Sequence, residues 1–341
     1  MGSAVRGPWT GPPLLLIAVT VLGFAVAPLV STPGDATAGE PQGQVELSSG
    51  DSTSLDDSGD RTTPDSAERG TPEPGTVIKP IPRQVVGVAT FNQFRRLTYS
   101  QMLSDAKALT SNDAVDIIGW QEGWDGAPVF AALHARGWTT KRFPKGAKEL
   151  AVSWRRDDFT FVGADQRLVA RGISDETGRY PFGDRYAIRV TLRERDTGEL
   201  ISVLDTHLPQ AIENLDRPGR WRPTYNSARA RLQLTRMAKM WDRAPGRWVV
   251  GTGDYNVDVA AESRTRPYGG LSRMFAGRAV SSYAVLGKDL GPTHPVSGRQ
   301  IDYVHAARRA VRQERVEFLT HRTIPGLNSD HRPLLVRFAL T

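Results

Sequence analysis

Cysteine is absent from all 341 residues. That absence excludes disulfides, zinc–thiolate sites and cysteine nucleophiles together. A domain exported without disulfides is held by its core alone, and about 260 residues suffice to build one. Long apolar runs are scarce as well. The exception is LLLIAVTVLGFAVAPLV at 14–30, preceded by Arg6 as the only charge. One basic residue, an apolar stretch and small residues after it read as a secretory signal, and Ala36-Thr37-Ala38 supplies an A-x-A cleavage site. The run also reaches the ~17-residue minimum of a membrane span, so residues 1–38 read as a signal peptide or as an uncleaved anchor. In both cases Arg6 stays inside, and the rest of the chain is expected to be secreted or extracytoplasmic. No twin-arginine pair is present.

Large apolar residues are nearly missing from the segment that follows. Rich in Ser, Thr, Pro, Gly and Asp, residues 39–82 cannot bury enough surface to offset chain entropy, which predicts a disordered acidic linker. From 31 to 82 there are ten acidic residues against Arg61, Arg69 and Lys79. Setting aside that net −7 and Arg6, the whole-chain +7 becomes +13 for residues 83–341. A domain this basic suits a polyanionic partner, nucleic acid or an anionic lipid surface.

From residue 84 onward, strand-like and helix-like runs alternate. Predicted strands are VVGVATF (85–91), VDIIGW (115–120), ELAVSWRR (149–156), FTFVGA (159–164), RYAIRVTL (185–192), LISVLDTHL (200–208), RWVVGTGDYN (247–256), QIDYVHA (300–306) and RPLLVRFAL (332–340). Predicted helices cover 98–109, 127–137 and 227–241, and Asp196-Thr197-Gly198 marks a hairpin. Hairpins mixed with helices predict one α+β domain over 83–341, two packed sheets with helices outside. There is no internal repeat.

Polar residues stand at the ends of these apolar runs in a chemically coherent set. Hydrolysis of a phosphodiester needs a cation on a phosphoryl oxygen, a base for the water and donors for developing charge. Glu122, directly after DIIGWQ, is the best single metal ligand. Asn92 ends VVGVATF and can orient a metal-bound water or a phosphate oxygen. Asp254 and Asn256 are two apart, so on an extended segment both point to one side, where they can hold a water and a phosphoryl oxygen. Asp205 and His207 share that spacing, and His207 can donate to a phosphate. Asp302 interrupts an apolar strand, which is costly unless the carboxylate is paired, and His331 is its natural partner. An Asp that fixes an imidazole makes the His a candidate general base, leaving Asp330 to face the metal.

TFN, QE, THL, GDYN, IDYV and SDHRP, in this order, resemble the motifs of the endonuclease/exonuclease/phosphatase superfamily, whose fold is the DNase I-like one. Arg229, Gln233 and Thr293 agree with the resemblance, which covers residues 84–341. It implies a four-layer α/β sandwich of two mainly antiparallel sheets flanked by helices, and a Mg²⁺- or Mn²⁺-dependent phosphoesterase. By motif position, Asn92, Glu122 and Asp330 are metal-site residues. Asp254 and Asn256 position water and phosphate, Asp302 and His331 form the acid/base pair, and His207 contacts phosphate. Tyr255 stands where Phe is usual, and His294 where an aromatic is common.

The superfamily leaves the substrate open, with DNA, RNA, sphingomyelin and phosphoinositides all within its range. Nucleic acid is favoured by the basic domain and by PQAIENLDRPGRWRPTYN after THL. There Arg217, Arg220 and Arg222 interleave with Trp221 and Tyr225 to grip phosphates and stack bases. Arg95-Arg96 adds charge close by. The competing expectations are a phospholipid phosphodiesterase and, from a different class, a non-catalytic surface protein that binds polyanions. No protein partner is implied, and a monomer is expected.

Overall fold

The computed structural model describes residues 83–341 apart from 125, 173–182, 215–216, 218–219, 263–270, 272–274 and 276. The expected signal or anchor (1–38) and linker (39–82) lie outside the described residues.

Chain order begins with β1 (Gln84–Asn92), α1 (Tyr99–Thr110), β2 (Ile117–Gln121), α2 (Ala127–His134), β3 (Trp138–Arg142) and β4 (Ala151–Arg155). Next come β5 (Phe159–Ala170), β6 (Arg185–Glu194), β7 (Leu200–His207), α3 (Tyr225–Asp242), β8 (Trp248–Asp254) and α4 (Val259–Glu262). The chain closes with β9 (Ala279–Ser281), α5 (Ser282–Leu286), β10 (Asp302–Ala307), α6 (Arg308–Arg312), β11 (Val316–Thr323) and β12 (Leu334–Leu340).

Two six-stranded sheets result, ordered β11-β12-β1-β2-β4-β3 and β5-β6-β7-β8-β10-β9. Each is antiparallel except at its centre, where β1 pairs β2 and β7 pairs β8 in parallel. Central strands are buried on both faces, which is why β1 reads as a nearly unbroken apolar run. Alternation along that run sends neighbours to opposite layers. Val88 and Ile117 join the core that includes Val190 and Val203 of the second sheet, whereas Ala89 and Ile118 pack with Met102, Leu109 and Phe130 of α1 and α2. Leu234 and Met237 of α3 cover the other sheet. The layers are therefore helix, sheet, sheet, helix, the four-layer sandwich expected from the sequence.

Local signals explain the helix limits. Thr98 caps α1 in a capping box with Gln101. The second helix ends at His134, three residues earlier than predicted, because Gly137 at φ 84° turns the chain into β3. Three strands escaped the sequence reading. In the edge strands, polar residues fill half-buried positions of β3 and exposed positions of β11, and β9 is only three residues long.

Candidate active site

Parallel central strands end together, and their antiparallel neighbours begin at that same end. Register fixes the pairs Asn92↔Gln121, His207↔Asp254 and Asp254↔Asp302, so polar strand ends from both sheets meet at one edge of the sandwich. Asn92 Nδ2 donates across the sheets to Asp254 Oδ2 at 3.0 Å. Beneath this contact lies a buried brace. Gln121 Nε2 and Thr252 Oγ1 donate to Asp205 Oδ1 at 2.6 and 2.8 Å, and Gly253 N donates to Thr90 Oγ1 at 3.0 Å. Burial pushes the Asp205 carboxyl well above its usual range despite those donors, and the side chain braces the floor of the site. Gly119 permits this closeness, because a Cβ there would sit 1.9 Å from Thr252 Oγ1.

Two acid–imidazole pairs face each other over Asp254. His331 Nδ1 lies 2.9 Å from Asp302 Oδ2, and Nε2 lies 3.7 Å from Asp254 Oδ2. Thr293 Oγ1 accepts from the backbone N–H groups of Ile301 and Asp302, which fixes the strand carrying that carboxylate. Burial opposes charge on His331, yet Asp302, Asp254 and Asp330 outweigh it and push the imidazole up to about 10. Burial likewise raises Asp302.

Glu149, just before β4, builds the second pair. Its Oε2 lies 3.1 Å from His207 Nδ1, and Arg185 Nη1 donates to Oε1. Burial works to raise the Glu149 carboxyl, but Arg185 and His207 hold it down to about 2. Against burial, Glu149 and Asp254 raise His207. His207 Nε2 stands 3.4 Å from Asp254 Oδ2 and 3.3 Å from Asn256 Nδ2. From α3, Gln233 donates to His207 O and Thr206 Oγ1, securing the end of β7.

The loop bearing Asp330 and His331 is anchored from outside the site. Buried Asp105 of α1 accepts from Asn328 N and Ser329 N at 2.9 and 3.0 Å, and Ser329 Oγ donates to Asn92 O at 2.7 Å. Backbone strain concentrates here too. Of five described non-glycine residues at positive φ, Phe94, Glu122, Ala211 and Asn256 line the cleft. Each such residue costs about 1–3 kcal/mol and persists only where its surroundings fix it. The bond from Asn256 N to Asp254 Oδ1 and that from Arg95 N to Glu122 Oε2 do so.

The cleft encloses about 590 Å³, with Asn92, Glu122, His207, Asp254, Asn256, Asp330 and His331 in its lining and Asp302 behind. Arg95, Arg96, Arg185, Arg222 and Arg299 also line it. Arg185 is held by Glu149, and Arg299 pairs with Glu213. The guanidinium groups of Arg95, Arg96 and Arg222 bond to no described residue. Of the three arginines expected to bind substrate, only Arg222 lines the cleft, while Arg217 and Arg220 are exposed outside it. Trp221 corrects the stacking expectation, because it is 6% exposed and packs in the core.

The donors fit a hard divalent cation. Among the described residues, two groups bring their ligand atoms within 4.8 Å: Asp254–Asp302–His331 and His294–Asp330–His331. Asp330 Oδ1 and Asp302 Oδ1 are buried without a described partner. Glu122 shares the cleft but belongs to neither group, and only its Oε2 has a described partner. Asn92 spends its Nδ2 on Asp254 and its Oδ1 on Phe94 N.

Sequence reasoning missed Glu149, Arg185 and the placement of His294. Glu149 carried the same signal as Glu122, an acid at the boundary of an apolar run, but lay at the start of the strand rather than its end. His294 lies 3.6 Å from Asp330 Oδ2, its ring edge-on to His331.

No protein-family model and no curated protein sequence matches the chain. Solved structures do. An endonuclease/exonuclease/phosphatase family protein from Bacteroides thetaiotaomicron is 16% identical, with 77% of this chain and 97% of that one covered at a TM-score of 0.55. D. rerio TDP2 complexed with single-strand DNA product is 16% identical, covering 74% and 98% at 0.52. A mannosyl-6-phosphatase of Bacteroides thetaiotaomicron is 16% identical, covering 74% and 99% at 0.51. This chain has the endonuclease/exonuclease/phosphatase fold.

Proposed function

We infer that the chain is an exported, divalent-metal-dependent phosphodiester hydrolase acting on nucleic acid. One observation carries the reading. Seven polar side chains from five strand ends converge on a single cleft, with an Asp–His pair on one side and a Glu–His pair on the other. A structural role for any one of them is unremarkable, but none explains their convergence beside strained backbone and arginines whose guanidinium groups bond to no described residue.

Glu122 and Asp330 would hold the metal with Asn92, and the ion, Mg²⁺ or Mn²⁺, would supply charge against a phosphoryl oxygen. The remaining steps belong to this chain. Asp302 holds the Nδ1–H of His331, and Nε2, deprotonated once a bound cation would offset the carboxylates that raise this imidazole, takes a proton from the attacking water. Asp254 and Asn256 orient that water and a phosphoryl oxygen. His207, whose imidazole Glu149 and Asp254 raise against burial, donates to the charge that develops on the phosphate. Arg95, Arg96 and Arg222 meet the flanking phosphates.

Substrate choice rests on those cleft arginines and the basic domain, since structures of this fold include a mannosyl-6-phosphatase as well as a protein bound to single-strand DNA. Export rests on the apolar run at 14–30, and cell fractionation of the full chain tests it. The function is tested by incubating the purified full chain with Mg²⁺ on plasmid DNA, RNA, sphingomyelin and phosphoinositides in parallel. The expected result is cleavage of a nucleic acid that EDTA abolishes. Hydrolysis of a lipid alone overturns the substrate, and hydrolysis of none overturns the reading.

A further inference from the structure

Of the seven described tryptophans, six are buried to 6% exposure or less. Trp124 is 42% exposed and lines the cleft, where it is the sole large exposed hydrophobic among the described residues. Its ring contacts no other described aromatic, and its Nε1 bonds to no described residue. Nothing in the packing accounts for an indole left in water at the mouth of a polar site.

The backbone beneath it is fixed. Glu122 at φ 55° turns the chain out of β2, and Gly123 N donates to Glu149 O at 3.0 Å. The next loop is tied alongside. Gln93 N donates to Gln121 O at 2.9 Å and Arg95 N to Glu122 Oε2 at 3.0 Å. Two joined loops therefore present a flat aromatic face on one and, on the other, the guanidinium groups of Arg95 and Arg96, which bond to no described residue. Cations for backbone phosphates beside an aromatic for a base face make up a site for single-stranded nucleic acid. A bilayer would instead be met by a patch of exposed apolar residues, and Trp124 is the one large exposed hydrophobic among the described cleft residues.

We propose that Trp124 is a nucleobase-stacking subsite of the cleft, holding an unpaired base next to the phosphate at the reaction centre. This rests on the nucleic-acid reading above and narrows it to single strands. Stacking needs only a π-face, so the subsite accepts any base.

The test is a binding titration of the full chain in EDTA, which prevents cleavage, with a thymidine oligonucleotide and an abasic strand of equal length and charge. Indole fluorescence should be quenched by the first and not by the second. Trp124→Ala should weaken thymidine binding by about tenfold and leave abasic binding unchanged, whereas Trp124→Phe should retain most of the affinity. Equal losses on both strands, or quenching by anionic phosphatidylserine vesicles alone, would overturn the subsite. Cleavage of both strands with Mg²⁺ separates the two ideas. If the abasic strand is cut while Trp124→Ala binds thymidine normally, the subsite fails and the hydrolase stands. If neither strand is cut, the hydrolase fails and the titration still decides the subsite.

Discussion

Replacing Glu149 by Gln removes the one carboxylate that neutralises both His207 and Arg185 in a buried setting. Glu149 is 6% exposed, and its carboxyl is held at about 2 against an ordinary 4.5. At 1.36 kcal/mol per unit this corresponds to about 3 kcal/mol, in line with the ~3–5 kcal/mol for breaking a buried pair. The upward shift of His207 reflects the same interaction and is not added to it. For a domain of this size the loss should lower the melting temperature by roughly 6–12 °C. The pH dependence has a definite sign. A depressed carboxyl contributes stability in full above its unfolded value of 4.5 and loses it as pH falls toward 2. A raised imidazole contributes in full below its ordinary 6.5 and loses it as pH rises through its folded value. The gap between wild type and Glu149→Gln in urea unfolding should therefore be widest between about pH 4.5 and 6.5, and fall to roughly half at pH 3. Equal stability at pH 5.5, or a gap unchanged at pH 3, would refute the pairing.

Neutralising Arg95, Arg96 and Arg222 should weaken nucleic-acid binding and reduce its log–log salt slope by ~0.7 per lost phosphate contact, as measured by salt titration. Substituting Arg217 and Arg220 should leave that slope unchanged. Gly119→Ala should destabilise by about 1–3 kcal/mol in denaturant unfolding, because β-branched Thr252 blocks the space a Cβ needs. Asp105→Ala should lower kcat with the chain still folded, since Asp105 anchors the loop carrying Asp330 and His331 from outside the cleft.

What was legible in the sequence follows from how each signal arises. Buried central strands such as β1 and β8 advertise themselves as apolar runs, and the residues ending them face one edge by topology alone. That is why Asn92, Glu122, His207, Asp254 and His331 could be named before any geometry. Edge strands β3 and β11 carry polar residues on their open side, so their period-2 signal fades. Glu149 was hidden because partnership with His207 depends on the packing of one sheet against the other, between segments 58 residues apart. Trp221 misled for a related reason. An aromatic among arginines suits a stacking loop, but the bridge between Glu213 and Trp221 turns this indole into the core. Trp124 drew no notice in the sequence because exposure, not identity, sets it apart.

The central claim is a division of labour within one cleft, with Glu122 at the metal and His331 at the proton. Rates on a single-stranded oligonucleotide, measured against Mg²⁺ and Mn²⁺ concentration for wild type, Glu122→Gln and His331→Ala, test it most directly. Glu122→Gln keeps the side chain's shape but loses its charge, so activity should recover at least in part at high Mg²⁺ or with Mn²⁺. His331→Ala should remain ~10²–10⁴-fold slow at every metal concentration. Rescue of His331→Ala to the same degree as Glu122→Gln would contradict the assigned roles, and wild-type rates in both variants would place the reaction elsewhere.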